Sequence, residues 1–139
     1  MSRRVFRLRL EARYQEPENL IAELEAQSEE EGQWREFVLG PAVPGFLIFV
    51  YAIANCQHQN LRLGATECGL ALDMADGLVE VVTDAAWRME SLHVRFEAQL
   101  RSGRATREDV DHVIARMRGC PVSVNLADIP DVEISVRLI

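Results

Sequence analysis

The sequence predicts an α+β fold in which mostly antiparallel β-sheets are wrapped around a buried central helix. Residues 5–14, 92–101 and 132–139 alternate apolar and polar side chains, a period of two that is typical of half-buried strands. Residues 46–63 begin with an unbroken apolar run and are followed by Gly64, which favours a helix buried in the centre of the domain. Together these patterns indicate strands on both sides of one long helix in the chain order.

Composition limits the class of protein. A chain of 139 residues is expected to form one domain, residues 1–139. The formal net charge of −7 argues against nucleic acid or an anionic membrane as a partner. The apolar run at residues 46–54 is too short to span a bilayer, and the chain start lacks the apolar core of a signal peptide. We therefore expect a cytoplasmic protein with reduced thiols.

Between the first strand and the central helix lies an acidic segment, residues 16–32. Pro17 is expected to open a short helix there, and the whole segment is interpreted as a solvated surface excursion. The apolar residues of that short helix would be Leu20, Ile21 and Leu24. Residues 33–39 then predict a short strand. After the central helix, Asp76-Gly77 predicts a hairpin turn that joins two further strands, residues 69–75 and 78–82.

A second helix and a cysteine follow the strand at residues 92–101. Thr106 with Asp109 resembles a capping box, and the apolar residues after it recur with helical spacing as far as Gly119. Gly119 is expected to end this helix in the left-handed conformation, and Pro121 to begin a short helix that runs to residue 126. Cys120 would then stand at or beside an N-cap, where unpaired backbone N–H groups lower the pKa of a thiol.

The chain has two further cysteines, Cys56 within the central helix and Cys68 at an expected strand start. Free cysteines are commonly buried and inert, so this reading stays open for Cys56 and Cys120, and Cys68 is interpreted as structural. No cysteine or histidine spacing indicates zinc, and each histidine is expected at the surface rather than in a metal site. We accordingly expect no metal and no bound cofactor.

The order of these features resembles the OsmC/Ohr superfamily. Cys56, in Ala-Asn-Cys at residues 54–56, matches the first cysteine of that family. Cys120, in Cys-Pro-Val-Ser at residues 120–123, matches the second, and the similarity extends over residues 40–139. The resemblance implies an intertwined homodimer with sites at the subunit interface. It also implies an organic hydroperoxide reductase, a thiol-dependent peroxidase with an antioxidant role in the oxidative stress response.

The resemblance also assigns roles to residues. Cys56 would attack the hydroperoxide and become a sulfenic acid, and Cys120 would condense with it to form a disulfide. An external dithiol, such as a dihydrolipoyl group, would reduce that disulfide. Family peroxidases assist the first cysteine with an arginine from the N-terminal strand region, a catalytic role that Arg13 would take here, or less favourably Arg9.

Two alternatives remain. The family orients that arginine with a glutamate shortly before the first cysteine, and residues 43–47 at that place contain no acid. This difference, with the acidic segment, motivates the first alternative, a non-catalytic homodimer that binds a small apolar ligand or a protein partner. The third hypothesis is a structural interaction module with three inert cysteines.

Overall fold

The computed structural model describes residues 2–139. It contains a single six-stranded sheet with the strand order β3-β2-β1-β4-β5-β6, together with two α-helices. Four strand pairings are antiparallel, and β5 pairs with β6 in parallel. The elements are β1 (Arg4–Gln15), β2 (Leu20–Glu30), β3 (Gln33–Glu36), α1 (Gly45–Glu67), β4 (Leu72–Thr83), β5 (Met89–Leu100), α2 (Arg107–Arg118), a 3-10 turn (Ser123–Leu126) and β6 (Asp131–Leu138). The predicted α+β class is confirmed, with one mixed sheet.

The sheet has an inner face, which packs on α1, and an outer face. In β1 the inner face carries Leu8, Leu10, Ala12 and Tyr14, all buried. The outer face carries arginines that pair with acids on neighbouring strands. Arg7, for example, lies 2.8 Å from Glu80 and 3.0 Å from Glu29. The alternation predicted for this strand is therefore confirmed, and cross-strand ion pairs cover its solvated side.

The short helix predicted in the acidic segment is wrong, because this segment forms strand β2. Glu18 and Asn19 take left-handed backbone conformations, with φ of 62° and 54°, and turn the chain back beside β1. Pairing with β1 satisfies the backbone of β2 and sets Glu23 opposite Arg13. The helix-like spacing of the apolar residues was thus overridden by a long strand partner that local sequence does not reveal.

The hairpin turn predicted at Asp76-Gly77 is also wrong, since β4 runs without interruption through both residues. Gly77 lies directly opposite Phe96 of β5, and a Cβ at Gly77 would overlap the aromatic ring. Glycine in the interior of a strand often marks such a close approach. Here glycine makes room for a side chain on the next strand rather than for a turn.

The predicted central helix is confirmed as α1, and it continues beyond the expected residue 63 to Glu67. Its first half buries apolar side chains such as Val50 and Ile53. Its second half buries polar ones as well: Gln57, His58 and Asn60. Within residues 2–139, neither helix combines the length and the apolar character needed to cross a lipid bilayer.

Helix α2 begins as predicted. The Thr106 hydroxyl accepts from the Asp109 N–H, and the Asp109 carboxylate accepts from the Thr106 N–H, which makes a complete capping box. It also ends at Gly119 as predicted, but Gly119 has φ −82° and does not take the expected left-handed conformation. The N-cap of the following 3-10 turn is Val122 and not Cys120. The helix-end effect predicted for the Cys120 thiol is therefore not provided by this geometry.

Candidate redox site

The structure joins Cys56 and Cys120 in a disulfide across 64 positions of sequence. Their Cα atoms lie 6.1 Å apart, within the range that a disulfide spans without backbone movement. The pairing implied by the resemblance is thus present. Cys68 remains free and half-buried; its sulfur lies 3.9 Å from the Asp109 carbonyl oxygen, and burial raises the pKa of its thiol.

Close packing of the two helices brings the cysteines together. Cys56 lies in the middle of α1, and Cys120 follows the end of α2 by two residues. At Gly64 of α1, an added Cβ would lie only 3.0 Å from the Cα of Val113 in α2. Glycine therefore lets α2 pack closely against α1. This packing places the end of α2, and with it Cys120, beside Cys56.

The sulfur of Cys56 has a polar neighbour one turn further along α1. The Asn60 amide donates to the Cys56 carbonyl at 2.9 Å, and the same nitrogen lies 3.7 Å from Cys56 Sγ. Asn60 is buried, so this donor acts in surroundings of low polarity. It is an uncharged donor beside the position where a thiolate would stand.

Gln57, which is fully buried next to Cys56, bonds the chain on either side of Cys120. Its Nε2 donates to the Met117 carbonyl at 2.8 Å and to the Ser123 hydroxyl at 2.7 Å. Sequence reasoning missed this residue. The available signal was a glutamine that follows the apolar half of a buried helix, and that signal does not identify its partners.

His58 is buried, although every histidine was expected at the surface. Its Nε2 lies 2.6 Å from the Tyr14 hydroxyl, and its ring stacks on Phe96. Burial, assisted by the charge of Arg62, lowers the pKa of His58 to about 4. Burial also raises the pKa of Tyr14. The prediction failed because β1 supplies a hydroxyl partner from far away in the sequence.

The structure does not bring Arg13 to the disulfide within one chain. Its side chain is 63% exposed on the outer face of the sheet, and its nearest acid, Glu23, lies 3.9 Å away. Arg9 also points outward and pairs with Glu11 at 2.9 Å. The reason is strand alternation, since the even-numbered positions of β1 occupy the inner face.

Solvent reaches the two sulfur-bearing residues unequally. Cys56 is 9% exposed and Cys120 is fully buried. A surface cleft of about 390 Å³ lies over the segment that follows Cys120. It is lined by Arg118, Ser123, Val124, Ala127, Val132 and Ile134. Within one chain Cys56 is thus the more exposed of the two cysteines.

Among residues 2–139, one group of side chains has the chemistry of metal ligands. It comprises His93, Asp131 and Glu133, whose potential ligand atoms lie within 4.8 Å of one another. His93 Nε2 is 2.8 Å from the Asp131 carboxylate, as in a surface ion pair. The group lies on β5 and β6 and takes no part in the disulfide site.

No family model matches the sequence, and no curated protein matches it. Solved structures do match the fold. An OsmC-like hydroperoxide resistance protein from Jannaschia sp. CCS1 superposes with a TM-score of 0.60 at 17% identity, over 89% of this chain and 87% of that chain. An OsmC-like protein from Mycoplasma pneumoniae gives a TM-score of 0.57 at 11% identity, over 83% of this chain and 89% of that one. With its six-stranded sheet, two helices and paired cysteines, this chain has the OsmC/Ohr fold.

Proposed function

We propose that this chain is a thiol-dependent peroxidase that reduces organic hydroperoxides to alcohols. The observation that carries the proposal is the Cys56–Cys120 disulfide. A cysteine pair that closes across two packed helices can accept two electrons and return them without any bound cofactor. The neighbour from Jannaschia, described as a hydroperoxide resistance protein, supports this substrate class.

In the first step the Cys56 thiolate attacks the terminal oxygen of the hydroperoxide. The O–O bond breaks, the sulfur is oxidised to a sulfenic acid, and the alkoxide leaves and takes up a proton to become the alcohol. The Asn60 amide, 3.7 Å from Sγ, is placed to donate to the thiolate. A hydrogen bond to the charged form favours that form, and the nucleophile is the thiolate.

In the second step the Cys120 thiol attacks the sulfur of the Cys56 sulfenic acid. The new S–S bond expels hydroxide, which leaves as water with the proton of the thiol. An external dithiol then attacks the disulfide, becomes a disulfide itself and restores both thiols. A dihydrolipoyl group is the dithiol we propose.

We propose that the protein works as a homodimer in the cytoplasm, where thiols are kept reduced. A second copy of the chain would cover apolar side chains that one chain leaves exposed. Two of them, Val38 and Leu39, are 67% and 57% exposed just before α1. Their position near the start of the helix that carries Cys56 supports an interface close to the site.

The competing proposal is a non-catalytic homodimer that binds a small apolar ligand or a protein. One observation favours it: among the described residues of this chain, no arginine bonds to the sulfur of Cys56, and Arg13 lies on the outer face. The predicted catalytic role of Arg13 is tested by comparing Arg13→Ala with Arg7→Ala. A loss of peroxidase rate in the first variant alone would support that role.

The test of the proposed function is peroxide consumption with dihydrolipoamide as reductant and cumene hydroperoxide as substrate. We expect turnover by the wild type and none by Cys56→Ser. In Cys120→Ser the first step remains, so Cys56 should accumulate as sulfenic and then sulfinic acid, visible as mass increments.

Cys68→Ser is the matched control, because it removes the third thiol without touching the disulfide. It should consume peroxide at the wild-type rate. If Cys56→Ser is as active as the wild type, or if cumene hydroperoxide leaves both cysteines reduced, the peroxidase proposal is wrong. Either result would support the non-catalytic homodimer instead.

A further inference from the structure

We infer that Gln57 is a positioning residue that holds the segment around Cys120 ready to close the disulfide. The part of this inference that concerns the peroxidase reaction rests on the proposed function. The part that concerns how readily Cys56 and Cys120 form a disulfide rests only on the contacts of Gln57. The residue touches neither the peroxide nor the reacting sulfurs, so it would act through the backbone that carries Cys120.

The contacts of Gln57 bracket Cys120. One hydrogen of its amide goes to the carbonyl of Met117, the residue three positions before Cys120, at 2.8 Å. The other goes to the hydroxyl of Ser123, three positions after it, at 2.7 Å. Gln57, Met117 and Ser123 are all buried, so neither bond competes with water.

The segment after α2 is held to the core by the disulfide and by apolar side chains such as Val122 and Leu126, and few hydrogen bonds join it to α1. Its backbone bonds are local, from the Cys120 N–H to the Met117 carbonyl and from the Val124 N–H to the Cys120 carbonyl. Pro121 and Val124 are exposed. Among residues 2–139, the two bonds of Gln57 are the hydrogen bonds between α1 and residues 117–126, whereas the other bonds from α1 to α2 come from Glu67 at its far end, to His112 and Arg116.

The partners of the Gln57 side-chain amide fix its orientation. That orientation leaves the amide oxygen buried without a hydrogen-bond partner within residues 2–139. The Met117 carbonyl accepts only, so the nitrogen of Gln57 must face it, and the oxygen of the amide has no partner among the described residues. An unpaired buried oxygen costs free energy that an apolar side chain would avoid. A glutamine here is therefore explained by what its nitrogen holds.

Holding the segment around Cys120 in place should make disulfide formation between Cys56 and Cys120 more favourable. Two thiols close a disulfide more readily when the chain between them is already ordered, because less conformational entropy is lost in closure. In the proposed reaction, closure competes with oxidation of the Cys56 sulfenic acid to sulfinic acid by a second peroxide. Gln57 would thus protect Cys56 from irreversible oxidation by keeping Cys120 near.

The test replaces Gln57 with methionine, which keeps length and shape but donates no hydrogen bond. The matched control is Gln59→Met, an exposed position on the same helix. Ser123→Ala removes one acceptor and leaves the bond to Met117. All variants carry Cys68→Ser, so that only the two thiols of interest remain.

Two quantities are measured. The first is the equilibrium constant for disulfide formation in glutathione buffers, which should fall roughly fivefold or more in Gln57→Met, since each hydrogen bond is worth about 1 kcal/mol. The second is the ratio of sulfinic acid to disulfide at Cys56 after pulses of cumene hydroperoxide, which should rise by a similar factor. The rate at which Cys56 first reacts with peroxide should not change.

The inference is overturned if Gln57→Met matches Gln59→Met in both quantities. If Gln57→Met does not fold, Ser123→Ala decides: a lowered equilibrium constant supports the inference, and an unchanged one overturns it. A merely structural role would lower the free energy of unfolding and leave the sulfinic to disulfide ratio unchanged. If peroxide never oxidises Cys56, the peroxidase proposal fails, while the glutathione equilibrium still decides the role of Gln57.

Discussion

Lowering the pH from 7 to 4.5 should destabilise this protein through His58, which the fold buries in its neutral form. His58 contacts the Tyr14 hydroxyl and the ring of Phe96, and the charge of Arg62 acts on it from the next turn of α1. None of these neighbours is an acid that would stabilise an imidazolium. A protonated His58 would therefore be a buried charge without a counter-ion.

The size of the effect follows from the pKa. Folding lowers the pKa of His58 from 6.5 to about 4. At about 1.4 kcal/mol for each pKa unit, this corresponds to roughly 3 kcal/mol in the free energy of unfolding. Between pH 6.5 and 4 the unfolded chain binds the proton and the folded protein does not. The full stability is thus present above pH 6.5 and is lost as the pH falls towards 4.

The assay is urea unfolding at several pH values between 7 and 4.5, with the disulfide intact throughout. His58→Gln does not titrate and keeps an amide near the Tyr14 hydroxyl, so its stability should depend less steeply on pH, by about 2 to 3 kcal/mol over this range. His112→Gln, on the surface beside Glu67, is the control for losing a histidine. Parallel pH profiles for wild type and His58→Gln would refute the reasoning.

Two further predictions concern stability at neutral pH, each measured by urea unfolding. Gly77→Ala should lower the free energy of unfolding by about 1 to 3 kcal/mol, because the new methyl group would overlap the ring of Phe96. Gly40→Ala, where the new methyl group has open space, should lower it much less. Equal losses in the two variants would contradict the explanation given for Gly77. Thr106→Ala should cost about 1 kcal/mol through loss of the capping bond from the Asp109 N–H, and an unchanged free energy of unfolding would show that the capping box does not stabilise α2.

Features that depend on neighbours along the chain could be predicted from sequence. The alternation of β1, the apolar run of α1 and the capping box at Thr106 are local patterns, and each is present in the fold. In the capping box the two interacting residues are three positions apart, and in β1 and α1 the spacing of the apolar residues along the chain marks the face that is buried, so local spacing carries the information. The failure at β2 has the opposite cause, because its partner strand decided its conformation.

The site depended more on tertiary structure. Sequence could nominate Cys56 and Cys120 by resemblance, but their meeting requires α2 to pack on Gly64 of α1. The partners of Gln57 and the burial of His58 arise only when chain segments more than 40 positions apart come into contact. Local periodicity determined which elements form. Packing between distant elements decided which polar side chains are buried away from water. It thereby set the surroundings of the two cysteines.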